Sequence, residues 1–163
     1  MPLNSVQLYV KGILDGQPSP ELPAAEVFIS PPNPGDATVP QIYVWGGQLH
    51  EERDAFPRAQ GIGTGGRKWL HWTVSIWVYY PDNADAYNID TAFPTLLDAV
   101  LETLRSTPLP AALTDSMTSW PSNVIYIGED IRMQYGTPRA TEDQRLIWQS
   151  ALITAAVDEM IQA

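Results

Sequence analysis

Between residues 69 and 80 apolar and polar positions alternate with a period of two. Leu70, Trp72, Val74, Ile76, Val78 and Tyr80 occupy every even position, while His71, Thr73 and Ser75 sit between them. Alternation over twelve residues, rich in aromatic and β-branched types, predicts a long half-buried strand from Trp69 to Tyr80. A second pattern lies further on. Phe93, Leu96, Leu97, Val100, Leu101 and Leu104 recur at steps of three and four, the spacing of one helix face. Asp90 or Thr91 can cap that helix, Pro94 falls in its first turn, and Arg105 complements the dipole in its last.

Weaker patterns complete the outline. Leu3, Val6, Val10, Ile13 and Leu14 form a helical stripe that Asn4 or Ser5 can cap and Gly16 can end. Ala25–Ile29 is short enough for one strand. Gln41–Trp45 reads as another, ending at Gly46-Gly47. Asn123–Gly128 reads as a strand that can resume, after a break, through Ile131–Tyr135. Residues 81–85 and 107–122 read as loops. The run 145–161 supports two assignments: Ile147, Ala151, Ile153, Ala155, Val157 and Ile161 alternate as in a strand, whereas Trp148, Leu152, Ala155 and Glu159 mark a helical stripe. The sum is an α+β domain spanning residues 1–163. An antiparallel or mixed sheet with a long hairpin is flanked on one face by an N-terminal helix and a central amphipathic helix.

Composition adds bounds. A chain of 163 residues suits one domain, with a folded radius of gyration of about 15 Å. There are no cysteines, which excludes disulfides, thiolate chemistry and Cys-based zinc sites. No apolar run approaches the ~20 residues of a membrane span, and no secretory signal opens the sequence, so a soluble protein used in a cytoplasm is expected. Seven of the 15 prolines lie in residues 17–40, predicting an extended path with little sheet ladder. The net charge is −10, of which residues 82–163 contribute −8. Such a surface does not grip nucleic-acid phosphates, although it would let a duplex pass without sticking.

Candidate chemistry is sparse. Gly61, Gly63 and Gly66 match G-x-G-x-x-G, followed by Arg67 and Lys68. A dinucleotide site requires a helix after the glycines. Here a strand comes next, and the Gly-Lys-Ser/Thr of a Walker loop is missing. The glycines therefore read as a connection between two strands. His50 heads His-Glu-Glu-Arg-Asp without the second histidine of a zincin, and His71 falls on the more polar side of its strand. Glu51-Glu52 and Glu129-Asp130 read as solvated charges, and Trp69, Trp72, Trp77 and Tyr79 as sheet packing. No nucleophile elbow occurs. The expectation is no enzyme activity, no cofactor and no metal. Residues 48–68 instead gather charge at the turn of the hairpin, a connection long enough to be functional. Glu51, Glu52, Arg53, Arg58, Arg67 and Lys68 are the candidate subunit contacts.

Val39-Pro40-Gln41-Ile42-Tyr43-Val44-Trp45-Gly46-Gly47, then Glu51-Glu52-Arg53, Pro57-Arg58, and Gly65-Gly66-Arg67-Lys68 leading into His71–Tyr79, resemble the tail terminator proteins of long-tailed bacteriophages, also called tail completion or minor tail proteins. The likeness covers element order and size over most of the chain. It implies a six-membered ring on the head-proximal end of the tail tube, in the virion, which ends tube polymerisation and offers a joint to the neck of the head. The implied partners are copies of the chain itself, the tail tube protein and a neck or head-completion protein, with DNA passing through the lumen. It also implies that 145–161 is a strand. Other readings of the same outline are a different neck or head-completion ring protein, or a small-molecule-binding α+β module.

Overall fold

The computed structural model describes residues 2–15, 25–35, 39–54, 67–82, 90–107, 123–140 and 147–162. Two helices, α1 (Pro2–Asp15) and α2 (Ala92–Arg105), accompany six strands: β1 (Glu26–Phe28), β2 (Gln41–Asp54), β3 (Arg67–Asp82), β4 (Asn123–Tyr135), β5 (Arg139–Ala140) and β6 (Ile147–Gln162). The sheet order is β1-β2-β3-β6-β4, with β5 pairing onto β6. All pairings are antiparallel except β1 with β2. This is the expected α+β class.

The alternation in β3 sorts its side chains as predicted. Leu70, Trp72, Val74, Ile76, Val78 and Tyr80 are each 7% exposed or less and form one core with Val6, Val10 and Leu14 of α1 and Phe93, Leu96, Leu97, Val100, Leu101 and Leu104 of α2. Removing a side chain of this size from water contributes roughly 1.5–3 kcal/mol, so these two stripes set which face the helices cover. The opposite face carries no helix among the described residues. One end of it is aromatic: Phe28 lies 5.3 Å from Tyr43, Tyr43 5.8 Å from Tyr79, and Tyr79 6.4 Å from Trp148 between ring centroids.

β6 is a strand over Ile147–Gln162, as the family resemblance implied. It pairs with β3 from Arg67↔Gln162 to Asp82↔Ile147 and with β4 on its other side. Its alanines favour helix locally, but two flanking strands outweigh propensity. Ala151 and Ala155 lie opposite Val78 and Val74, buried in the helix-covered core.

Four local expectations are corrected. α1 begins at Pro2, so Asn4 and Ser5 lie inside it and do not cap it; proline suits a first helical turn because its missing N–H would be unpaired there. β2 does not end at Gly46-Gly47. It bulges between Val44 and Gly47, with Gly46 at φ +82°, and continues to Asp54. β3 runs through Pro81 to Asp82, past the last β2 pair at Gln41↔Tyr79, where a residue without an N–H has only one neighbouring strand to satisfy. β4 is one strand, and the break at 128–130 is a second bulge between Ile127 and Ile131. Expectations for the segments 16–24, 55–66, 83–89 and 108–122 lie outside the described residues.

Candidate functional site

The hairpin β2–β3 divides at its bulge. On the near side β2 lies under the helices, with Ile42 and Val44 fully buried. On the far side Leu49 is 47% exposed although its partner Trp72 stays in the core, so past the bulge β2 is less covered than β3. The hairpin is nevertheless not a free-standing two-stranded arm. β6 accompanies β3 to its start at Arg67, and β4 accompanies β6 to Asn123↔Ile161. The far end is a sheet of four strands, stiffer than an isolated hairpin.

At that end the register brings most of the candidate contacts together: Glu51 faces Leu70, Glu52 faces Trp69, Arg53 faces Lys68, and Asp54 faces Arg67. Glu51 and Glu52 are exposed. The side chains of Arg53, Arg67 and Lys68 lie outside the described residues, as do Arg58 and the three glycines of the G-x-G-x-x-G pattern. Directly after Gly66 the chain is strand, Arg67–Asp82, so no helix N-terminus is offered there to a phosphate.

Beside these residues a row of polar side chains crosses the helix-free face. Register aligns His50 of β2, His71 of β3, Asp158 of β6 and Tyr126 of β4. The Nδ1 of His71 lies 2.6 Å from Oδ1 of Asp158. Because a carboxylate oxygen accepts, Nδ1 carries the proton. The Nε2 of His71 is 3.6 Å from Oε2 of Glu52, and Nε2 of His50 is 3.5 Å from Oε1 of the same carboxylate. The rings of His50 and His71 stack at 6.1 Å, and Trp69 lies parallel to His71 at 6.5 Å. The hydrogen bond that His71 donates to Asp158 raises its pKa above the ordinary value, against partial burial, which lowers it; Glu52 adds in the same upward direction. Burial, then the charge of Asp158, raises that of Tyr126.

His50 was read into the charged connection 48–68 and falls on a strand because β2 continues past its bulge, whereas His71 was legible as a polar strand position. Asp158 was not: it lies 87 residues from His71, and only a strand assignment for β6 with the correct register brings them together. Among the described residues no group of three or more His, Asp or Glu side chains is arranged to hold a metal ion. A shallow polar cleft of about 260 Å³, lined by Gln48, Thr73, Asp130, Arg132, Thr154 and Ala156, lies on the same face between the two bulges. Its Arg132 is paired with Asp130 through two contacts of 3.0 Å.

Neither a family model nor a curated protein matches the chain. Among solved structures it is similar to a chain of the "Virion of native gene transfer agent (GTA) particle", with 16% identity, 94% of each chain covered and a TM-score of 0.46. A likeness at that level does not carry over what the other protein does. Among the described residues no helix is long and apolar enough to cross a membrane.

Proposed function

We propose that the chain is a structural virion protein of the tail terminator type. Copies close into a ring, taken as six-membered, on the head-proximal end of the tail tube. The ring stops tube growth and forms the joint to the neck, and the protein has no enzymatic role. The observation that carries this reading is the far end of the sheet. Four strands run on to a charged edge, and five of the six candidate contacts fall in the last pairs of one ladder. The resemblance of the hairpin sequence to tail terminators supports it. So does size: a body with a radius of about 15 Å cannot surround a duplex alone, whereas heterologous contacts that close on rotation can. Overall acidity suits a channel through which DNA slides.

Two experiments test it. In particles lacking the protein, negative-stain microscopy should show overlong tails; full heads beside detached tails of normal length would indicate a neck adaptor. Second, Asp54 pairs with Arg67, so residues 55–66 can be replaced by Asn-Gly, a two-residue hairpin turn. The product should remain a folded monomer and lose the ability to cap tubes. Retained capping would remove the tip from the contact surface.

A further inference from the structure

We propose that His71 is a proton-operated clamp. With both ring nitrogens protonated it ties β2, β3 and β6 together past the β2 bulge, and on losing the Nε2 proton it lets the outer β2–β3 ladder open.

The argument starts from donors and acceptors. Asp158 accepts from Nδ1 at 2.6 Å, so in a neutral ring the proton is on Nδ1 and Nε2 presents a lone pair. That lone pair faces Oε2 of Glu52 at 3.6 Å, an acceptor opposite an acceptor. A proton on Nε2 reverses the sign of the contact. The imidazolium then lies between two carboxylates on two different strands, and both contacts become charge-assisted. His50 faces the other oxygen of Glu52 at 3.5 Å and is 73% exposed. From β4, Tyr126 lies in register with Asp158, whose charge and hydrogen bond, after burial, raise the tyrosine's pKa. Trp69 stacks along the ring. Among the described residues the facing groups are therefore Glu52 and His50 from β2, Asp158 from β6, and Tyr126 from β4.

Position gives the clamp its effect. Near the helices, β2 is held by buried Ile42 and Val44, whereas past the bulge its opposite-core residue Leu49 is half in water. With less apolar burial, the polar links carry a larger share of the local stability. The direction comes from the raised His71 value. A cation stabilised in the folded state contributes fully below the ordinary imidazole range and is lost as pH rises through the folded value. The window therefore lies above pH ~6.5. A consequence for assembly, that the contact end is best ordered when His71 is charged, rests on the ring reading; the clamp itself does not.

The test uses the isolated full chain, so its outcome is independent of ring formation. Imidazole NMR should show His71 titrating above the ordinary value while Nδ1–H persists. Amide exchange between pH 6 and 9 should show protection at Leu49–Glu52 falling several-fold relative to Ile42–Val44 as that proton leaves. In His71→Asn the ratio should be low and flat across the range. Glu52→Gln alters an exposed residue and leaves the fold intact, and it should move the transition to lower pH. A His71 titration at or below the ordinary value, or a protection transition that survives unchanged in His71→Asn, would overturn the clamp.

Discussion

Ala at position 47 should cost several times more than Ala at the neighbouring position 46, although both replace glycines of one bulge. Gly46 has φ +82°, and a Cβ there meets nothing within 4 Å. The penalty is conformational, about 1–2 kcal/mol for an L-residue in the left-handed region. At Gly47 an added Cβ would lie 2.5 Å from the carbonyl oxygen of Thr73 and 3.6 Å from the Cα of Val74. Both are backbone atoms of β3, which is paired to β6 on its far side at Thr73↔Ala156 and Val74↔Ala155. They cannot retreat without breaking that ladder. Overpacking of this kind costs about 1–3 kcal/mol, and each ladder hydrogen bond lost adds about 1 kcal/mol. The total is about 3–5 kcal/mol. For a domain of this size each kcal/mol moves Tm by about 2–4 °C, so Gly47→Ala should lower Tm by about 6–20 °C and Gly46→Ala by about 2–8 °C. Thermal and urea unfolding followed by circular dichroism would measure both. Equal effects, or a Gly47→Ala protein as stable as wild type, would refute the close approach of β2 to β3 at the bulge, and with it the account of how the outer ladder is aimed.

Burial decides three further outcomes. Phe93→Ala, at a fully buried site between Tyr80 and Tyr135, should destabilise by about 3–5 kcal/mol in urea titrations. Tyr135→Ala, at a residue 53% exposed, should cost clearly less, and the reverse order would mean that α2 does not pack as described. Ala155→Leu should also destabilise, by about 1–3 kcal/mol, because Ala155 is fully buried opposite Val74 in the helix-covered core; a neutral result would contradict a strand there.

The two strongest periodic runs were sufficient by themselves to specify their elements and faces. In β3 every even side chain from Leu70 to Tyr80 is inside, and in α2 the predicted stripe is the buried one, while Thr91 holds the N-cap position without a side-chain capping hydrogen bond. Such patterns are legible because local geometry repeats them and one large core rewards them. The run 147–162 was not decided locally, since alanine favours helix and Ile, Val and Thr favour strand. Pairing with β3 and β4 decided it, and that pairing depends on residues 65 to 95 and 16 to 38 positions away. The first bulge was read as a strand end for a related reason: the pair Gly46-Gly47 interrupts the local pattern, while the ladder resumes only because the partner strand continues. Glu51, Glu52, Arg53, Arg67 and Lys68 could be grouped from their places on either side of a turn, because a hairpin keeps neighbours in sequence near in space. Asp158 belongs to the same end of the sheet through long-range register alone. Periodicity therefore told which way each side chain faces, and tertiary pairing chose its neighbours, because orientation repeats within a few residues while strand order is settled by burial over the whole chain.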